Sequence, residues 1–235
     1  LNTAVAEILR QFADELEAAE DFQAALRALI KQTILDHKRI IFNGNGYDDA
    51  WIREAVEERG LLNLKTTPDA MATLLDEKNV TLLTSHKVMT EAEVRSRYEI
   101  QMENYVKTVR IEAVAMADIA RKEILPAVES CVDGLAGGIA AKRSVDPELP
   151  CGHEMKQLRK LSALTDRIDE ATEALESAVT ELDMKDDITE QALFIRDEIL
   201  GRMAALRAPC DEAETTSAAR YWPFPTYGEL LFSVK

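Results

Sequence analysis

An almost wholly α-helical fold is predicted by two features of the 235-residue sequence. Apolar residues recur at steps of three and four along most of its length. Gly and Pro number only 9 and 7, so turns are few and helices long. Any strand is confined to a few residues near Ile40–Phe42. The 28 Lys+Arg stand against 43 Asp+Glu, a net charge of −15, with 46% hydrophobic and 30% charged residues. That balance is globular rather than disordered. So acidic a chain repels a phosphate backbone or an anionic membrane surface, which excludes nucleic acid and membrane as partners. No unbroken apolar run approaches the roughly 20 residues of a bilayer span, and no signal peptide opens the chain.

A first segment covers residues 1–89. One helix runs from about Thr3 to Ala19 with Val5, Ile8, Leu9, Phe12 and Leu16 on one face. Asp21 is placed to cap a second helix, whose stripe is Phe22, Ala25, Leu26, Leu29, Ile30, Thr33 and Ile34. Ile40–Phe42 then reads as extended, and Asn43-Gly44-Asn45-Gly46 as a tight turn using glycine for positive φ. A short helix follows from Asp48 or Asp49, carrying Trp51, Ile52, Ala55 and Val56 and closed by Gly60. Thr67 and Pro68 read as the N-cap and first residue of another.

A long-helix region is expected over residues 90–208, forming a three-helix up-down-up bundle. Thr90 and Glu93 have capping-box spacing, and an unbroken stripe from Val94 to Ala120 continues behind them. That helix reaches about Ala141, with a kink at Pro126. Ser144–Gly152, with Pro147 and Pro150, is a loop. The next helix, His153–Leu182, sets Leu161, Ile168, Leu175 and Leu182 seven apart. A third begins after Asp187 and is expected to end at Pro209. Residues 209–235 then form an extended tail, in which Trp222, Pro223, Phe224, Pro225 and Tyr227 hold several rings outside a helix. Such rings dock on a groove or form an interface, and a strap across the outside of the helices is expected.

Few residues offer chemistry. Asn43-Gly44-Asn45-Gly46-Tyr47 lacks both the G-x-G-x-x-G and the P-loop pattern, and Asp48 and Asp49 place negative charge where a phosphate would sit. The turn is therefore structural. His37, His86 and His153 are scattered, and Cys151 with His153 makes two zinc ligands where four are needed. Three cysteines (Cys131, Cys151, Cys210) without a CxxC suit a reducing, cytoplasmic setting. No catalytic, cofactor or metal site is expected from these residues.

Several segments together resemble a known family. His37-Lys38-Arg39-Ile40-Ile41-Phe42-Asn43-Gly44-Asn45-Gly46-Tyr47, Trp51, Leu61–Thr67, Arg97–Ile100, Glu103-Asn104-Tyr105, Lys122–Val128 and Tyr221–Phe232 are similar to the C-terminal region of type III glutamine synthetases. The opening Leu1–Ala6 resembles the helix after that family's last active-site strand, and the start is read as a cut inside a longer polypeptide. The resemblance implies a parent enzyme that joins ammonia to glutamate with ATP and Mg²⁺ or Mn²⁺ through γ-glutamyl phosphate. Its catalytic motifs lie upstream, so none is carried onto this sequence. The partners it implies are the rest of the polypeptide and sister subunits of a homo-oligomer. Two other readings compete: a stand-alone coiled-coil-like interaction or signalling module, supported by the leucine spacing, and a small enzyme using Cys151 and His153.

Overall fold

The computed structural model describes residues 1–225 and 227–232, apart from the side chains of Tyr227 and Gly228. Every regular element among them is helical, as the apolar periodicity requires, and they form two compact units, Leu1–Gln101 and Met102–Lys235.

The first unit opens with α1 (Asn2–Glu17) and α2 (Phe22–Asp36), which pack on one another. Asp21 caps α2 by accepting a hydrogen bond from the Ala24 N–H at 3.0 Å. A 3₁₀ turn, Lys38–Ile40, takes in the first residue of the expected extended segment. Ile40 closes that turn by donating its N–H to the His37 carbonyl, and Ile41 beyond it is extended. Helix α3 (Asp49–Arg53) widens into a π turn at Glu54–Glu58 and ends at Gly60, whose φ of +62° is the left-handed geometry that favours glycine. Helix α4 (Thr67–Ala72) begins one residue earlier than expected, with Thr66 at the cap and Pro68 in its first turn. A 3₁₀ turn (Thr73–Leu75) leads to α5 (Glu77–Ser85), a helix the apolar pattern does not single out. Helix α1 also packs on α5. Thr90 and Glu93 form the capping box at the head of α6 (Glu91–Ile119): the Thr90 N–H donates to Glu93 Oε2 at 2.8 Å and the Glu93 N–H to Thr90 Oγ1 at 3.3 Å.

In the second unit, a π turn at Ala120–Ile124 precedes α7 (Leu125–Val145) and comes just before Pro126, whose ring cannot donate to the ladder. Helix α8 (Gly152–Leu182) packs on α7 and on α10 (Leu200–Thr216). Between α8 and α10 lie α9 (Ile188–Phe194) and a third π turn, Ile195–Ile199. Leu161, Leu164, Ile168, Leu175 and Leu182 of α8 are fully buried, as are Ile195, Ile199, Leu206 and Val128. Thr172, the one polar side chain in this core among the described residues, donates its hydroxyl to the Ile168 carbonyl at 2.7 Å. Two charged ties brace the surface. Arg110 donates to both carboxylate oxygens of Asp183, at 2.6 and 2.7 Å, and Arg121 reaches both Asp169 and Glu176.

Two expectations for the C-terminal part are corrected. Pro209 does not end the third helix; it lies buried inside α10, which continues to Thr216. Burial of Pro209, Cys210 and Ala213 along that stretch offsets the lost ladder bond, worth about 3 kcal/mol in an unsupported helix. Nor is the tail extended throughout. A 3₁₀ turn at Ala219–Tyr221 and a short helix α11 (Tyr227–Phe232) flank a non-helical stretch, Trp222–Pro225, in which Trp222 is extended and Phe224 bends the chain, and Thr226 lies outside the described residues.

The sequence holds no unbroken apolar run of 20 residues. Even so, an 18-residue window within Glu91–Val145 has the length and composition of a membrane span, and 33% of it is buried in the chain's own packing. A core helix that lays one stripe on its neighbours meets the same criteria.

Candidate functional site

The Asn43–Tyr47 turn is built around a ring stack. Phe42 and Trp51 lie parallel with centroids 3.7 Å apart, and the Arg59 guanidinium sits 4.8 Å from the Trp51 centroid. Arg59 also donates to the carbonyls of Ile41 (2.8 Å) and Arg39 (3.1 Å) and to Glu54 Oε1 at 2.6 Å. One guanidinium thus ties the chain before the turn to the helix after it. Inside the turn, Asn45 Oδ1 accepts from the Tyr47 N–H at 3.1 Å, and Asp48 accepts from the Ala50 N–H at 2.9 Å. The expected positive φ at Gly44 and Gly46 is absent; among described glycines only Gly60 has it. Gly44 is needed for another reason: a Cβ there would meet the Phe42 ring at 2.6 Å. Tyr47 is 97% exposed and so takes no part in the stack.

The tail attaches through a residue before its prolines. A Cβ on Gly134 of α7 would collide with the Tyr221 hydroxyl, so glycine there lets Tyr221 lie directly on the helix. Arg220 lies over the Tyr221 ring at 4.7 Å. Trp222 is half-buried, meeting Phe224 edge-on at 6.3 Å, while Phe224 and Pro223 remain exposed. Of Tyr227 only the backbone is described. The turn and the tail fall in different units.

The titratable groups are arranged as braces. His86, at the end of α5, places Nε2 2.7 Å from Glu7 Oε2 of α1. Hydrogen bonds from Arg10, Gln11 and His86 hold the Glu7 carboxyl well below its ordinary range. Cys151 is buried at the head of α8, its thiol donating to the Leu149 carbonyl at 3.6 Å, and His153 beside it is exposed. Burial pushes the Cys210 thiol up to about 11. Among the described residues no three His, Cys, Asp or Glu side chains come together to hold a metal ion.

What stands out instead is apolar surface. Leu9, Phe12 and Leu16 of α1 face Leu26 and Leu29 of α2 across an open hollow of about 450 Å³. Leu29 is the one apolar residue buried on either helix, while Val5, Ile8, Leu9, Ile30, Ile34 and Leu35 are each at least 45% exposed. Sequence reasoning identifies the stripe. It does not identify Arg59, nor the widening of the apolar surface of α2 by Leu35, which follows Ile34 outside the expected stripe.

The class defined by these features is an all-helical domain with braced helices and uncovered apolar faces. The chain belongs to the glutamine synthetase C-terminal domain family, whose model matches residues 25–143. It is 34% identical over 218 residues to a glutamine synthetase of Butyrivibrio fibrisolvens, covering 93% of this chain and 31% of that protein. It is 30% identical to the type-3 glutamine synthetase of Dictyostelium discoideum, over 99% of this chain and 32% of that protein. A glutamine synthetase of Bacteroides fragilis (strain YCH46) is 27% identical over 99% of this chain and 33% of its own length. The chain thus spans about a third of the length of the curated relatives it matches.

Proposed function

We propose that this chain is the C-terminal helical part of a type III glutamine synthetase and that its own role is structural. The observation that carries the reading is the match to glutamine synthetases over nearly the whole chain, which makes up only about a third of those proteins. The full-length polypeptide is then a cytoplasmic glutamate–ammonia ligase and a homo-oligomer. In it, ATP and Mg²⁺ or Mn²⁺ supply the phosphoryl chemistry that activates glutamate. The residues of this chain do not fit that group: no metal cage forms among those described, and the Asn43–Tyr47 turn is closed by Asn45 and Asp48 on their own backbone.

Three parts divide the work in this reading. Residues 1–89 continue from the catalytic core, 90–208 form the long-helix body, and 209–235 fasten the end of the chain to it. Asn43, Gly44, Asn45, Gly46 and Tyr47 serve as a shaped turn locked by Arg59, and Trp222, Pro223, Phe224, Pro225 and Tyr227 as the strap. The coiled-coil alternative loses its support, because Leu161, Ile168, Leu175 and Leu182 are buried against the chain's own helices.

The test is an assay of ATP-dependent glutamine formation by the full-length polypeptide, with calorimetric titration of this chain by ATP and Mg²⁺. Activity in the former and no binding to the latter are expected. Stoichiometric micromolar binding by this chain alone would overturn its assignment as non-catalytic.

A further inference from the structure

The outer face of α2 combines exposed apolar side chains with an unusual charge pattern. Ile30, Ile34 and Leu35 are 52%, 52% and 58% exposed and line three adjoining hollows, all of which share Ile34. The charged residues around those hollows are Arg27, Lys31, Lys38, Arg39 and Arg59. None is acidic, although the chain carries 43 acids against 28 bases. Arg59 is held by Glu54 and two carbonyls, so the other four cations form the free rim. An apolar strip bordered by one sign of charge is complementary to an apolar surface fringed with carboxylates.

We infer that this face of α2 is covered by the part of the full-length polypeptide that precedes α1, through an apolar, carboxylate-fringed surface. The inference rests on the family reading above. The relatives are about three times as long as this chain, so roughly two-thirds of such a polypeptide must pack somewhere. A segment tethered next to α1 and α2 meets this face at an effective concentration that a separate molecule does not reach, in the millimolar range for short linkers. The apolar surface of the helix is wide: Leu26, Leu29, Ile30 and Ile34 line the hollow shared with α1, and Ile30 and Ile34 continue with Leu35 into the hollows beyond it. That pattern belongs to a helix sandwiched between two layers.

The experiment compares thiol labelling of an Ile34→Cys variant in this chain and in the full-length polypeptide. The three cysteines of this chain are buried and react slowly, and peptide mass spectrometry reads the label at position 34 apart from any other thiol. Cys at position 34 should react with a maleimide at least tenfold more slowly in the full-length protein, and equally slowly after dilution to single subunits. Lysine-labelling mass spectrometry on the unaltered proteins should give the same protection at Lys31 and Lys38. Equal labelling in both proteins overturns the inference. So does protection lost on dissociation to single subunits, because a second copy would then be the cover. Protection in a full-length protein without ligase activity leaves this inference standing and removes the enzymatic reading instead.

Discussion

The Arg59 guanidinium lies 4.8 Å from the centre of the Trp51 ring while donating to the Ile41 carbonyl at 2.8 Å. One side chain therefore carries both the stacking and the backbone closure of the Asn43–Tyr47 turn. Arg59→Ala removes a cation–π contact worth about 0.5–1 kcal/mol and hydrogen bonds to a charged donor worth about 1.5–3 kcal/mol. The first unit should lose about 2–4 kcal/mol by those figures. Arg59→Lys should recover less than half of this, because an ammonium lacks the planar fork. Urea denaturation followed by Trp51 fluorescence, in a Trp222→Phe background, reads the loss; coincident midpoints would refute it.

The three glycines of α7 should respond differently to alanine. At Gly137 and Gly138 no atom lies within 4 Å of an added Cβ, so alanine should stabilise the helix by up to about 1 kcal/mol each. At Gly134 the same Cβ meets the Tyr221 hydroxyl, so the tail must move. Gly134→Ala is expected to forfeit that gain, red-shift Trp222 emission in a Trp51→Phe background, and speed hydrogen exchange at Ala219–Tyr221. Equal melting temperatures for all three variants would argue that Tyr221 is not seated on the helix.

Acid should loosen the hold on α1. The folded Glu7 carboxyl is depressed by hydrogen bonds from Arg10, Gln11 and His86, so its ionised form is favoured by folding. Its stabilisation is complete above the ordinary glutamate value of 4.5 and is lost as pH falls below it toward the folded value. Glu7→Gln should flatten the pH dependence of first-unit melting below pH 4.5 and leave that of the second unit unchanged. Parallel profiles for wild type and variant would dismiss the brace.

Burial on α8 sets the scale for core loss. Leu175 is fully buried, and Leu175→Ala should cost about 2–5 kcal/mol through lost apolar transfer and the cavity left behind. Leu231 of α11 is 70% exposed, and Leu231→Ala should stay within about 0.5 kcal/mol. Paired chemical denaturation curves decide the matter; similar costs at both positions would mean that α11 is packed.

Much of this architecture is legible in the residues themselves. The Asp21 cap, the Thr90–Glu93 box, the Gly60 stop and the seven-residue spacing of Leu161, Ile168, Leu175 and Leu182 each follow a local rule that neighbouring residues suffice to satisfy. Pro209 defies such a rule, because local reasoning weighs only its missing N–H, whereas burial in α10 outweighs that loss. Gly44 and Gly134 suggest conformational freedom or helix weakness in the sequence, yet each makes room for a ring distant in sequence or set against the turn. Arg59 carries no local signal, since its partners at Arg39 and Ile41 lie 20 and 18 residues away. Contacts of that separation are set by the fold, and periodicity does not encode them.

The three π turns have a consequence for how the chain tolerates changes in length. Each closes a wider ring, as where the Arg59 N–H bonds the Glu54 carbonyl at 3.0 Å, and so accommodates one residue more than an α-helical turn. One residue in an α-helix is about 100° of rotation, so each turn absorbs a phase slip that would otherwise swing the following apolar stripe off its neighbour. Removing one residue from such a turn, for example Lys122, should convert it to plain α-helix and leave the stripes on both sides aligned. The same deletion in the middle of α8, which has no such slack, should turn Leu175 and Leu182 away from the core.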